Sequence, residues 1–170
     1  MLKRNMIMYS TEKIIDAMIT YYSGDAKRIS HFLKVYGFAK TIGAGEGIDA
    51  ETQQILEIAA LTHDIGIKNS EVKFGSSAGS YQQTEGPPEA RKLLEALGVR
   101  EEITERVCWL IAHHHTYTNI CGIDYQILVE ADFLVNAYED DMSPEAIESI
   151  KSKIFRTNSG IKYLNSIFGV

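Results

Sequence analysis

The sequence predicts an all-α protein, and three observations support this prediction. Apolar residues recur at the three- and four-residue spacing of amphipathic helices along nearly the whole chain. The alternating segments joined by Asn-Gly or Asp-Gly turns that are typical of β-hairpins do not occur. The chain has 170 residues, of which 45% are hydrophobic and 24% charged. This length and composition favour one globular domain over residues 1–170.

Capping residues and glycines predict the bounds of the helices in the first half of the chain. We expect Ser10 to cap a first helix that runs to about Tyr22, and a second helix to begin near Lys27. The apolar residues of a third helix, capped by Asp49, cover nearly all of its sides, so we expect it to be buried. Three closely spaced glycines are expected to end the second helix: Gly43, Gly45 and Gly47.

The second half is predicted to begin with a long connection over 66–86. This segment is rich in glycine, serine, lysine and glutamine, and such a connection is typical of a lid or a binding loop. Pro87 and Pro88 are expected to start the next helix, which Gly98 ends. Later helices are expected over about 101–114, over about 124–138, after the cap Ser143, and near 161–167.

Charge and cysteine content exclude several classes of protein. The formal net charge is -6, so the positive field that binds duplex nucleic acid or an anionic membrane is missing. No run of about 18 apolar residues occurs, so we expect no membrane segment. Cys108 and Cys121 lack C-x-x-C spacing and are expected to be free thiols in a cytoplasmic protein.

Polar side chains on apolar helix faces mark the candidate site. Asp132 lies four residues after Leu128 and three before Val135, which places a carboxylate on a buried face. An ionised carboxylate is too costly to bury alone, so Asp132 needs an arginine or lysine partner or a metal ion. His114 continues the apolar stripe of its own helix, whereas His115 falls outside that stripe and is expected to matter little.

Two imidazoles and two carboxylates can be combined from these helices. His63 and Asp64 are adjacent at the end of the buried third helix, His31 lies on the helix before it, and Asp132 lies downstream. A mixed nitrogen and oxygen donor set of this kind is typical of a divalent transition-metal site. The alternative, in which each residue is an ordinary hydrogen-bonded core residue, stays open on spacing alone.

The segments that hold these residues resemble the H…HD…D signature of the HD-domain metal-dependent phosphohydrolases. The resemblance covers about residues 25–140, with further helices expected over 143–168. It implies an HD-domain helical bundle in which one divalent ion, Mn, Fe, Co, Ni, Zn or Mg, is bound and phosphate esters or nucleotides are hydrolysed. The implied ligands are His31, His63, Asp64 and Asp132.

The chain departs from several branches of that family. Two-metal members usually carry a further histidine after the long connection, where this chain has Glu85, although His113 and His114 remain available. The sequence Ile-Gly-Ile-Lys over 65–68 replaces the acidic residues of the 5′-nucleotidases and guanosine-tetraphosphate hydrolases, and the GYP element of the cyclic-di-GMP enzymes is absent. The substrate is therefore expected to be another small phosphorylated molecule, with nucleotides among the candidates.

The catalytic candidates follow from the chemistry of metal-assisted hydrolysis, in which a divalent ion lowers the pKa of bound water toward about 7. Asp64 is expected to orient that water, and cationic donors such as Lys68, Lys73, Arg28 or Lys34 to stabilise the phosphoryl oxygens. The groups expected to transfer protons or contact substrate are Glu85, His113 and His114. An ordinary surface position is an equally valid interpretation of each lysine and arginine.

Two other functions use the same scaffold. A mixed-valent di-iron oxygenase needs about six ligands and binds oxygen, and a metal or nucleotide sensor binds its ion without turnover. We expect the phosphohydrolase that the resemblance implies, with the oxygenase and the sensor as alternatives, and the sequence does not fix the oligomeric state.

Overall fold

The computed structural model describes residues 10–170, and in this range the chain folds into nine helices without a strand. The all-α prediction is therefore confirmed. The helices are α1 (Thr11–Tyr21), α2 (Ala26–Glu46), α3 (Ala50–Thr62), α4 (Ile67–Phe74), α5 (Gly79–Ala96), α6 (Glu101–His113), α7 (Ile123–Glu139), α8 (Pro144–Ile154) and α9 (Asn158–Phe168).

Three helices, α2, α3 and α7, pack against one another and form the centre of the bundle. Helix α6 lies against α3, α5 covers α6, α1 packs on α3, and α9 contacts both α2 and α7. Side chains without solvent exposure line these contacts, among them Val35, Leu61, Ile111 and Leu128. Among residues 10–170, no helix combines the length and the apolar content that a bilayer crossing requires.

The predicted caps hold in two of three cases. Asp49 Oδ1 accepts hydrogen bonds from the backbone of Glu51 and Thr52, and Ser143 Oγ accepts one from the backbone of Ala146. Ser10 stands at the predicted N-cap position, but its hydroxyl donates to the side chain of Glu12 at 2.6 Å instead of capping α1.

Helix α2 continues through two of the glycines that were expected to end it. Its C-cap is Gly47, whose φ of 66° lies in the left-handed region that glycine adopts without strain. Gly43 stays helical and buried because α3 packs close to it: a Cβ atom at this position would lie 2.2 Å from Gln53 Oε1. Close packing therefore accounts for the helical glycine at 43, and the left-handed conformation of Gly47 ends the helix.

The prediction of a structureless connection over 66–86 is wrong. This segment contains all of α4 and the beginning of α5, with only four residues between the two helices. Pro87 and Pro88 lie inside α5 and do not start it. The helix accepts these prolines because its packing outweighs the two missing amide hydrogen bonds: Gly86 packs so tightly that a Cβ atom there would lie 2.6 Å from Ile111 Cγ2.

Helix α9 begins three residues earlier than predicted, at Asn158 and not at 161. Its N-cap Thr157 accepts a hydrogen bond from the backbone of Gly160 at 3.0 Å. The fully buried carboxylate of Glu130 in turn accepts hydrogen bonds from the backbone of Arg156 and Thr157. This buried carboxylate ties the C-terminal helices to α7, the helix that carries Asp132.

Candidate metal centre

Four side chains that lie far apart in the sequence converge in the interior of the bundle. His31 comes from α2, His63 and Asp64 follow the end of α3, and Asp132 comes from α7. The His31 Nε2 atom lies 3.3 Å from His63 Nε2, 3.4 Å from Asp64 Oδ2 and 3.2 Å from Asp132 Oδ1. His63 Nε2 lies 3.4 Å from Asp64 Oδ2 and 3.5 Å from Asp132 Oδ1.

The tautomers of the two histidines follow from their outer hydrogen bonds. His63 Nδ1 lies 2.8 Å from the carbonyl oxygen of Ala60, and His31 Nδ1 lies 2.8 Å from Glu139 Oε2. Both partners are acceptors, so each Nδ1 must carry the proton. In the neutral rings, both Nε2 atoms therefore direct lone pairs at each other and at two carboxylate oxygens.

Such a group of electron-pair donors requires a positive charge at its centre. The Oδ1 atom of Asp132 is buried and has no hydrogen-bond partner among the described residues. Donor atoms bound about 2.1 Å from one divalent ion at tetrahedral angles lie about 3.4 Å apart, close to the spacing seen here. The donor atoms of His31, His63 and Asp64 also lie close enough together to bind one shared ion. These three residues could thus share a divalent metal ion, with Asp132 Oδ1 facing both imidazoles.

Without an ion, protons must supply the positive charge. Burial alone lowers the pKa of His63, but the carboxylates of Asp64 and Asp132 outweigh burial and raise this pKa to about 9. The pKa of Asp132 moves in the opposite direction: burial favours the neutral acid, but the protonated imidazoles of His31 and His63 lower the pKa well below its usual value. Protonated histidine and metal ion are thus alternative occupants of one anionic site.

The raised pKa of His63 predicts a pH-dependent stability in the metal-free protein. Its contribution is fully present below the unfolded pKa of 6.5 and is lost as the pH rises through about 9. We expect the melting temperature in chelator to fall between these pH values, and to fall less with a saturating divalent ion, which replaces the proton. Melting curves over this pH range test this, and equal slopes with and without the ion would contradict it.

Glu139 orients His31 from outside the ligand group. Its Oε2 accepts a hydrogen bond from His31 Nδ1, and its Oε1 accepts one from Lys34 Nζ at 2.6 Å. Burial opposes ionisation of Glu139, but the hydrogen bonds from Lys34 and His31 lower its pKa. A carboxylate in this position fixes the ring of a ligating histidine and makes its free nitrogen a stronger donor.

We expect Glu139→Gln to weaken metal affinity by about 10- to 100-fold, the usual effect of losing a carboxylate behind a ligating histidine. The amide can still accept from His31 but carries no charge. Metal titration by calorimetry measures the change, with the exposed Glu148→Gln on α8 as the matched control. Unchanged affinity in Glu139→Gln would show that His31 is oriented without this carboxylate.

A second group of donor atoms also lies close enough together to bind one ion. It consists of Asp64, His114 and His115. His114 Nδ1 donates to the carbonyl oxygen of Ile111 at 2.7 Å, so its Nε2 carries a lone pair. This Nε2 is buried, lies 3.5 Å from Asp64 Oδ1, and has no hydrogen-bond partner within the described range. His114 therefore offers one free acceptor directly beside Asp64.

His115 differs from the other histidines because both of its nitrogens are engaged. Its Nε2 lies 3.2 Å from Gln82 Oε1, and its Nδ1 lies 3.4 Å from the hydroxyl of Tyr117. The Gln82 amide nitrogen donates to the carbonyl oxygen of Ser77. Gln82 Oε1 is therefore an acceptor, and the Nε2–H group of His115 donates to it. Burial and the neighbouring His114 lower the pKa of His115 to about 4, which keeps the ring neutral. The free lone pairs therefore favour an ion in the first group.

A polar cavity of about 480 Å³ opens beside His31 and Asp64. Arg28 in the first turn of α2 lies on its wall, and its guanidinium contacts Asp25 Oδ2 at 2.6 Å and Glu71 Oε1 at 2.5 Å. Asn136, one helical turn after Asp132 on α7, also lines the cavity. This cavity is the space in which a substrate would reach the four converging side chains.

Three of the catalytic candidates lie elsewhere. Lys68 Nζ sits 5.0 Å from the centre of the Tyr21 ring, and Glu85 pairs with Lys73 at 2.6 Å. His113 stacks on Trp109 with 4.0 Å between ring centres. None of the three is among the described residues that line the cavity. The cations that do line it are Lys27 and Arg28.

Sequence analysis missed two contributors to the site. Glu139 lies seven residues after Asp132, so helical spacing places both on one face of α7, and this signal was available. The placement of His115 gave no such signal, because α6 ends at His113 and helical periodicity does not extend past that point. His115 instead packs against Gly79, where a Cβ atom would lie 2.9 Å from its ring.

Comparison with known proteins gives two findings. The sequence model of the HD domain family matches residues 28–148. The fold is similar to the crystal structure of a predicted HD superfamily hydrolase from an uncultured Thermotogales bacterium. The TM-score is 0.66 and the sequence identity 23%, with 93% of this chain and 84% of the other covered. No curated protein matches the sequence.

Proposed function

Because the chain belongs to the HD domain family, we propose that it is a metal-dependent phosphohydrolase that cleaves small phosphate esters with an activated water. The observation that carries the proposal is the group formed by His31, His63, Asp64 and Asp132, whose lone pairs converge beside an open polar cavity. A divalent ion held there would lower the pKa of a bound water and supply a hydroxide nucleophile for attack on phosphorus.

His114 and Asp64 are placed to take the proton of the attacking water. The free Nε2 of His114 is buried and lies 3.5 Å from Asp64 Oδ1, and Asp64 lines the cavity, so a proton that Asp64 takes from the attacking water can pass to His114. We assign His114 as the proton acceptor and Asp64 as the group that links it to the ligand set. His114 thereby keeps the catalytic role proposed from the sequence.

Arg28 and Lys27 are the groups that bind the phosphoryl oxygens. Arg28 presents a planar fork of donors, which matches the geometry of a phosphate. Its contacts with Asp25 and Glu71 hold that fork at the cavity wall. Lys27 forms no ion pair with another described residue, so its ammonium group is free to pair with the negative charge of a bound phosphate.

The test uses protein stripped of metal and reloaded with one ion at a time: Mn, Co, Ni, Zn, Fe or Mg. We expect release of p-nitrophenol from p-nitrophenyl phosphate or its diester, and the preferred compound separates a monoesterase from a diesterase. Phosphate release from a nucleotide panel is measured in parallel. Tight ion binding without turnover would overturn the proposal in favour of a sensor, and oxygen uptake by the iron form would overturn it in favour of an oxygenase.

A further inference from the structure

The cavity wall carries side chains whose hydrogen-bonding capacity is unused. Lys27, Ser77, Asn136 and Asp140 all line the cavity. None of these side chains forms a hydrogen bond or an ion pair with another described residue, whereas Arg28, Gln82 and Glu139 are held by partners. These four side chains, together with the guanidinium donors of Arg28 that Asp25 and Glu71 leave unused, are therefore available to a bound molecule.

These four side chains differ in what they offer. The lysine only donates hydrogen bonds, the aspartate only accepts them, and the serine and asparagine do both. Asn136 and Asp140 are four residues apart at the end of α7, so they lie on one side of the helix. Adjacent donors and acceptors of this kind match hydroxyl groups, each of which both donates and accepts.

The same wall offers little to an aromatic group. Ile67 is the one apolar side chain among its described lining residues, and none of these is a phenylalanine, tyrosine or tryptophan. Tyr81 and Tyr117 pair elsewhere, with Phe74 at 4.3 Å and Phe133 at 5.0 Å between ring centres. A nucleobase bound in the cavity would lack the stacking contact that contributes about 1–3 kcal/mol per base.

We propose that the leaving group of the substrate is rich in hydroxyls and not aromatic, as in a phosphorylated sugar or polyol. This inference rests on the proposed hydrolase function and names its substrate class. The phosphate lies beside Arg28 and Lys27, and the hydroxyls are bound by Asn136 and Asp140. The cavity volume of about 480 Å³ accommodates a molecule of this size.

The test compares kcat/KM for pentose, hexose and glycerol phosphates with that for nucleoside 5′-monophosphates, using the metal-loaded protein. We expect the best sugar or polyol phosphate to exceed every nucleotide by about 10-fold or more, the size of one or two lost hydrogen bonds. Faster hydrolysis of a nucleotide than of every sugar phosphate would overturn the inference and leave the hydrolase function standing. Absence of turnover with every compound and every ion would overturn both.

Two variants test whether the cavity wall causes the preference for sugar or polyol phosphates. Asp140→Asn should lower the ratio of kcat/KM for the best sugar phosphate to that for p-nitrophenyl phosphate by about 10-fold, because one charged acceptor is lost. Asp141→Asn removes the neighbouring charge, which does not line the cavity, and should leave the ratio unchanged. An unchanged ratio in Asp140→Asn would exclude Asp140 from substrate recognition.

Discussion

Asp132→Ala is expected to abolish metal binding and hydrolysis while the fold survives. Asp132 Oδ1 lies 3.2 Å from His31 Nε2 and 3.5 Å from His63 Nε2, so the substitution removes one of the four donors. Metal-ion catalysis contributes several kcal/mol, and its loss corresponds to a fall in rate of about 1000-fold or more. The fold should remain because α7 keeps the buried apolar side chains, such as Leu128 and Val135, that pack it into the bundle.

Elemental analysis and melting curves separate loss of metal from loss of fold. A saturating ion, at about 100 times its Kd, stabilises by about 2.7 kcal/mol, or roughly 5–10 °C for a chain of this size. The native protein should show this increase in melting temperature and Asp132→Ala should not, while the exposed Asp16→Ala should behave as native. Unchanged metal content in Asp132→Ala would refute the assignment of this residue as a ligand.

His114→Gln is expected to keep the metal and lose the reaction. General-base catalysis contributes about 100- to 10,000-fold, so we expect kcat to fall by at least 100-fold. Glutamine preserves most of the volume at this buried position, and its amide can still donate to the carbonyl oxygen of Ile111. The measurements are kcat at saturating substrate and metal content per chain.

His113→Gln is the matched control, because the adjacent imidazole stacks on Trp109 and donates to its carbonyl oxygen away from the cavity. We expect little change in kcat for this variant. If His114→Gln instead lost a bound ion, His114 would be a ligand of a second metal. If both variants kept the native rate, the proton acceptor would have to be another group.

Most of the fold could be predicted from local signals. Apolar periodicity predicted α6 and α7 to within a few residues, and the caps Asp49 and Ser143 marked the starts of α3 and α8. The prediction for residues 66–86 was wrong because the composition of this segment is that of a loop, whereas its helices pack through α4 against α5 and through α5 against α6. Gly86 illustrates this: it is buried against Ile111 and Gly66, a contact that local composition does not encode.

The buried polar residues of the candidate site could be predicted from the sequence, but the cations beside it could not. Polar residues on buried helix faces indicated His63, His114 and Asp132, because burial of a charged group demands a partner. The prediction did not distinguish which cation lies at the site, since Lys68 and Arg28 are both positively charged and both lie near a predicted ligand in the sequence. Their orientation depends on which neighbours they meet: Lys68 lies over Tyr21, whereas Arg28 is held at the cavity by Asp25 and Glu71.

Local signals in the sequence predict that this chain is helical and that His63 and Asp132 lie on helix faces that must be buried. Periodicity and the cost of isolated charge are local properties, so one chain suffices to show them. The packing of α2, α3 and α7 is what brings His31 and His63 together and places an oxygen of Asp64 and of Asp132 within 3.5 Å of both imidazoles. It also decided the proton positions on the histidines, because each depends on an acceptor beyond the ring, and one of these, Glu139, is 108 residues away from His31.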